Sequence, residues 1–162
     1  MKRTIFLMAL AMLAMGVTAQ TADSIKVKRT PQRVSPANST PPQFPGGSQA
    51  LHEFLDKNME YPEAAKAYEV EGRVTMSFFV NEDSTLTDIT AIDCRLNRFN
   101  TTAFGQETEA RQKELKQQFA KLFAKEAYRV IRKMPKWKPA TLNGQPKKSK
   151  YSLNINFNFL DK

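Results

Sequence analysis

The sequence predicts an α+β fold in which helices pack on one face of a small antiparallel three-stranded sheet. A run with alternating apolar residues is joined by turn residues to a second, less regular strand-like run, and together they indicate a hairpin. A helical stripe of apolar residues follows over 119–134, and a strictly alternating run over 147–159 closes the chain. A hairpin, a long helix and one returning strand suffice to build such a sheet.

The N-terminus resembles an export signal. Lys2 and Arg3 precede an apolar run over 5–17, and Val17 and Ala19 place small residues before a cleavage site. We therefore expect residues 1–19 to be a signal peptide cleaved after Ala19. The run is shorter than the roughly 20 residues that span a bilayer. An uncleaved signal anchor is the alternative, so the periplasm is the predicted location and the inner membrane the second.

Residues 20–43 are rich in Pro, Ser and Thr and predict a flexible, partly extended tether. The Phe44-Pro45-Gly46-Gly47 cluster marks the entry to a domain over 44–162. Without Lys2 and Arg3 the chain carries 23 basic and 16 acidic residues, a net charge of +7. A basic surface suits anionic partners, although it also serves solubility alone. Export disfavours nucleic acid as the partner.

Catalytic and metal-binding residues are scarce. Cys94 is the only cysteine, so the chain cannot form an internal disulfide. Cys94 follows a strand-like run and His52 lies in a helical one, which disfavours a catalytic pair. One Cys and one His are too few for a tetrahedral structural zinc site. We expect a non-enzymatic protein without metal or cofactor.

The first half of the domain predicts two short helices and the hairpin. The helices cover 48–58, with Ser48 as N-cap, and 63–67, with Pro62 in the first turn. The first strand runs over 72–80, and 81–84 form the turn. A phase change in the second strand, 86–93, indicates a bulge. Residues 94–118 show little regularity, although 107–118 could extend the next helix.

The main helix, 119–134, ends where Pro135 removes a backbone donor. Trp137 then lies between Pro135 and Pro139. A tryptophan held between two stiff points usually caps a core, and a direct binding role is the alternative. Asn143 and Gly144 predict a turn before the final strand.

The final strand has one apolar and one uncharged polar face. Tyr151, Leu153, Ile155 and Phe157 alternate with Ser152, Asn154, Asn156 and Asn158. Such a strand at a sheet edge is exposed to pairing with another chain, and an extended peptide could add there as a further strand.

Residues 44–159 resemble the C-terminal domain of TonB-type energy transducers. The residues that carry the resemblance recur in the family's order: Tyr61, Pro62, Gly72, Val74, Met134, Pro135, Trp137, Pro139 and Gly144. The chain departs from the family in its short signal-like run and short tether, in the length of 94–118, and in Ser84, where the family often has glycine.

The resemblance implies a periplasmic domain that grips a segment of an outer-membrane transporter and supports transmembrane transport. The grip is expected to be strand addition to the final strand, through Tyr151, Ser152, Leu153, Asn154, Ile155, Asn156, Phe157 and Asn158. An inner-membrane motor complex is implied as a partner if the N-terminus is retained, and a homodimer by edge-strand pairing is possible. The alternative is a stand-alone interaction module that docks to envelope components through its basic face.

Overall fold

The structure, a computed structural model, describes residues 38–159 of the 162-residue chain. The predicted signal peptide and residues 20–37 of the predicted tether lie outside the described residues. Within 38–159, no helix combines the length and the apolar character needed to cross a membrane.

The described chain folds into helices and antiparallel strands, as the sequence predicts. The helices are α1 (Gly47–Asn58), α2 (Glu63–Lys66), α3 (Thr101–Gly105) and α4 (Glu109–Arg132). The strands are β1 (Ser39–Thr40), β2 (Glu71–Val80), β3 (Leu86–Arg98), β4 (Ala140–Leu142), β5 (Gln145–Lys147) and β6 (Ser149–Phe157). The α+β fold class is confirmed.

The main sheet has the strand order β3-β2-β6, with both pairings antiparallel. β2 is central, and it pairs with β6 without interruption from Val80 opposite Ser149 to Gly72 opposite Phe157. The β2–β3 register shifts at three places, which confirms the predicted bulge. β6 is therefore one edge of this sheet and β3 is the other.

The apolar stripe of α4 faces this sheet, as predicted. Five of its residues are buried: Phe119, Phe123, Ala127, Val130 and Ile131. The Phe123 ring stacks on Phe157 of β6 with 4.2 Å between centroids. The stacking holds the C-terminal end of β6 against the helix layer.

A second, small sheet was not predicted. Its strand order is β1-β4-β5, and the Asn143–Gly144 turn joins β4 to β5 with positive φ at both residues. β1 and Gln43, which pairs with Lys138, belong to the stretch predicted as tether. The structured region thus begins before Phe44. These strands are only two or three residues long, which is too short for an alternating pattern to be recognised in the sequence.

Several predicted boundaries are wrong. α1 begins at Gly47 after Gly46, whose φ is 86°, so Ser48 lies inside the helix and is not its cap. β3 continues to Arg98, five residues beyond the predicted end at 93. α4 begins at Glu109, and Thr108 caps it by accepting a 3.3 Å hydrogen bond from the Arg111 amide. The suggested extension of the helix into 107–118 is confirmed.

Candidate peptide-binding edge

The predicted site residues lie together on β6 and just beyond it. Leu153, Ile155 and Phe157 are buried against the core, and Tyr151 is half-buried. The four residues that alternate with them face solvent: Ser152, Asn154, Asn156 and Asn158. Within residues 38–159, no strand pairs with the side of β6 that faces away from β2, which we call the open edge. Its backbone groups are positioned to pair with an added strand.

A groove of about 390 Å³ runs beside β6. One wall is β6 and its end, from Asn154 to Asn158. The other wall includes α1, which contributes His52, Leu55 and Asp56. Sequence reasoning placed α1 in the fold but gave no signal that it flanks the final strand, because that depends on how the helix packs.

Trp137 fixes the N-terminal part of β6. Its side chain is 1% exposed. The centroid of its ring lies 4.9 Å from the ring centroid of Tyr151 in β6, 5.4 Å from that of Phe78 in β2 and 5.7 Å from that of Phe44. Its backbone amide donates a 3.2 Å hydrogen bond to the Ser84 carbonyl in the β2–β3 turn. The packing role predicted for Trp137 is confirmed, and the buried ring offers no surface to a partner.

The Tyr61–Pro62 pair is also structural. The Tyr61 hydroxyl, which is buried, donates a hydrogen bond to the Val70 carbonyl. The centroid of its ring lies 5.9 Å from the ring centroid of Phe123 and 6.0 Å from that of Phe159. Burial first, and then the nearby carboxylates of residues 71 and 69, raise the pKa of Tyr61 to about 12. Pro62 immediately precedes α2.

The other motif residues shape the main sheet and its surroundings. A Cβ at Gly72 would lie 2.7 Å from the Arg95 carbonyl oxygen of β3, so a side chain there would collide with backbone. Val74 is fully buried in β2, and Met134 packs half-buried against the core. Gly144 supplies a φ of 80° in the β4–β5 turn.

Residues 112–159 match the family model described as "Gram-negative bacterial TonB protein C-terminal". This segment is TonB C-terminal-like. The resemblance stated from the sequence is confirmed there, over most of α4, the Trp137 stretch and β6. Met134, Pro135, Trp137, Pro139 and Gly144 lie inside the match, whereas Tyr61, Pro62, Gly72 and Val74 lie before it.

Two solved structures are similar to the chain, both NMR solution structures of the Helicobacter pylori TonB C-terminal domain. The first is 20% identical, covers 70% of this chain and 85% of that chain, and has a TM-score of 0.38. The second is 19% identical, covers 68% of this chain and 91% of that chain, and has a TM-score of 0.37. No curated protein matches the chain.

Inside the TonB C-terminal-like segment, sequence reasoning missed an ion pair that joins α4 to the α1–α2 connection. Arg129 Nε donates to Glu126 Oε2 at 2.7 Å, and Arg129 Nη2 reaches the Asn58 carbonyl at 2.8 Å. The Glu60 amide donates to Glu126 Oε1 at 2.7 Å. Burial tends to raise the pKa of Glu126, but the hydrogen bonds and charge of Arg129 outweigh it and the pKa is lowered. The three-residue spacing of Glu126 and Arg129 was the available signal.

Cys94 and His52, the two residues weighed for catalysis, lie on β3 and α1. Cys94 is half-buried against the core, and burial, with the neighbouring Asp93, raises the pKa of its thiol. A raised pKa leaves little thiolate at neutral pH, so Cys94 is a poor nucleophile. Within 38–159, no group of three or more His, Cys, Asp or Glu side chains could hold a metal ion.

Proposed function

We propose that this chain is a non-enzymatic, periplasmic, TonB-like domain that binds an extended segment of an outer-membrane transporter. The segment adds as a fourth strand along the open edge of β6. By pulling on that segment, the domain supports energy-dependent transport across the outer membrane. The family match over residues 112–159 supports the transport role, and the geometry of β6 supports the mode of binding.

One observation carries the mode of binding. β6 is an edge strand, nine residues long, whose pairing with β2 shows no register shift. A regular strand presents its free N–H and C=O groups in a row that an extended peptide can match. An added strand would lie about 5 Å from β6. Its side chains would then enter the groove between β6 and α1.

A transporter segment titrated into the labelled domain tests this proposal. Synthetic peptides from periplasm-facing segments of outer-membrane transporters are added while amide NMR signals are followed. We expect shifts and new exchange protection concentrated on β6 and on the facing side of α1. Changes confined to α4, or no binding by any peptide, would contradict strand addition.

A pair of lysine substitutions separates edge pairing from a general charge effect. Asn154→Lys puts a charge on β6, and Thr90→Lys puts the same charge on β3; both positions are exposed. Because a lysine on an edge strand hinders pairing with a further strand, we expect Asn154→Lys to weaken peptide binding several-fold and Thr90→Lys to leave it nearly unchanged. Equal losses would count against β6.

A proline at Asn154 gives a stronger test of the same strand. It removes one backbone donor, which belongs either to the β2 ladder or to the open edge. If the lost donor bonds to β2, the free energy of unfolding falls. If it lies on the open edge, the peptide affinity falls. A variant with unchanged stability and unchanged affinity would show that β6 is not central to either.

The coupling to an energy source depends on the N-terminus, and on this point two forms of the proposal differ. If residues 1–19 are cleaved, the domain is free in the periplasm and acts through another protein. If they are retained as an anchor, an inner-membrane motor complex is a direct partner. N-terminal sequencing of the native protein, with fractionation of periplasm and membranes, distinguishes the two forms.

The same open edge could pair with a second copy of the chain. Sedimentation at increasing protein concentration measures whether such a dimer forms. The Asn154→Lys variant is the control, because a lysine on the open edge should weaken the dimer. The alternative function, docking to envelope components through the basic face, predicts an affinity that falls steeply with salt. Strand addition predicts a weaker dependence, because much of its affinity comes from backbone hydrogen bonds.

A further inference from the structure

A second and larger groove, of about 810 Å³, lies between the chain segment 59–66 and α4. Of its lining residues, Met59 is shared with the smaller groove beside β6. We infer that this α2–α4 groove is a second binding site, and that it takes an acidic polypeptide segment carrying an apolar anchor. The inference does not depend on strand addition at β6.

The floor of the groove is apolar. Tyr61 and Pro62 form one side, and Leu122 of α4 forms the other. Tyr128 is 41% exposed beside them, and it is one of the two large apolar side chains most exposed in the described part of the chain. An apolar floor of this kind can bury one or two apolar side chains of a partner.

The rim of the groove is positively charged. Five basic and three acidic residues line it, and the acidic ones are engaged locally. Glu63 pairs with Lys66 at 2.6 Å, while the carboxylates of residues 60 and 126 both contact Arg129. The excess of basic over acidic side chains gives the lining a net positive charge, which attracts an acidic partner.

Three cations on the rim have no such partner. Within residues 38–159, no carboxylate lies in ion-pair distance of Lys125, Arg132 or Lys133. Residues 125, 128 and 132 share one face of α4, and the Arg132 guanidinium lies 6.0 Å from the Tyr128 ring centroid. The face therefore offers exposed charge and an exposed aromatic ring side by side.

This combination selects the chemistry of the occupant. The unpaired cations favour carboxylates, and the recessed apolar floor favours an apolar side chain between them. A uniformly charged glycan would leave that floor unused, and a membrane surface is too flat to enter the groove. A polypeptide with acidic residues around a Leu or Phe satisfies both features.

The experiment uses a fluorescent synthetic peptide in which glutamates flank a Leu-Phe pair, and its anisotropy with the intact protein. We compare Lys125→Glu/Arg132→Glu with Lys57→Glu/Lys113→Glu, which changes the net charge equally at exposed sites away from the groove. We expect about tenfold weaker binding for the first pair and less than about twofold for the second. Tyr128→Ser should weaken binding several-fold at unchanged charge.

Asn154→Lys should leave binding of this peptide unchanged, which keeps the test separate from the β6 edge. Equal losses for the two charge-reversed pairs, or no effect of Tyr128→Ser, would show only general attraction and would overturn the inference. So would binding to phosphatidylglycerol vesicles without binding to the peptide, because the face would then be a lipid contact. Loss of peptide binding to wild type after Leu-Phe is replaced by Ser-Ser would support the inference.

Discussion

The two edges of the main sheet are built in opposite ways. β3 runs for 13 residues with three register shifts against β2, and Ile92 protrudes at one of them, 55% exposed. β6 runs for nine residues without a shift, and its outward side chains are mostly uncharged. Exposed charges are frequent on β3: Asp88, Asp93, Arg95 and Arg98. Lys150 is the one charged residue within β6.

Bulges and charges are the features by which natural sheets protect an edge from unwanted pairing. β3 has both, whereas β6 has no bulge and a single charge, Lys150, so one side of the sheet is protected and the other is open over most of its length. Backbone strain follows the same division. Ser84 before β3 and Asp88 within it have positive φ, whereas no residue of β6 does. Under our proposal, the edge used for binding is the one that lacks most of the features protecting the opposite edge of the same sheet.

The largest effect is expected from Trp137→Ala, which removes the ring that β6 packs against. Truncating a large buried aromatic residue typically lowers the free energy of unfolding by about 3–5 kcal/mol. Chemical denaturation measures this loss, and amide exchange should accelerate more at Tyr151 than at Leu96 of β3. Trp137→Phe is the matched control and should cost less. Faster exchange mainly at β3 would contradict the prediction, because Trp137 would then stabilise β3 more than β6.

The elements with a regular apolar pattern could be predicted from the sequence. The alternation in β6, the stripe of α4 and the phase change in β3 are visible because apolar residues repeat with the period of the element. β1, β4 and β5 were missed because each has only two or three residues. The sequence could not predict features that depend on contacts between distant segments. These are the groove beside β6, the Glu126–Arg129 pair and the end of β3.

A smaller effect is expected from Gly72→Ala, which tests the close approach of β2 and β3. The added methyl would lie 2.7 Å from the Arg95 carbonyl oxygen and 3.2 Å from Phe123 Cε2, so backbone must move. Overpacking of this kind costs about 1–3 kcal/mol. Gly105→Ala is the control, because its methyl would meet no atom within 4 Å. Thermal unfolding should separate the two variants; equal stabilities would contradict the predicted collision.

A similar or smaller loss, about 1–3 kcal/mol, is expected for Tyr61→Phe, which leaves the buried Val70 carbonyl without its donor. The loss should depend on pH. The pKa of Tyr61 rises from 10.0 to about 12 on folding, so ionisation is disfavoured in the folded state. The associated stability is fully present below pH 10 and disappears as the pH rises towards 12. The difference in unfolding free energy between wild type and Tyr61→Phe should therefore shrink over this interval.

A pH-independent difference would show that the Tyr61 hydroxyl titrates as it does in the unfolded chain. Near-ultraviolet absorbance of the phenolate provides a direct check, because Tyr61→Phe should remove a tyrosine whose pKa is about 12. Tyr61 connects the start of β2 to Phe159 beyond β6. Its loss should accordingly speed exchange at the C-terminal end of β6 more than at β3.

The smallest effect, of opposite sign on the two edges, is expected for serine-to-glycine changes. Ser84 has a φ of 74°, a conformation that costs a residue with a side chain about 1 kcal/mol. Ser84→Gly should remove that cost and raise the free energy of unfolding by a fraction of it. Ser152→Gly, in extended β6, should lower it by about 0.5–1 kcal/mol, since glycine loses more entropy there. Denaturation curves of both variants measure the contrast. Two changes of the same sign would mean that backbone strain is not confined to the protected side of the sheet.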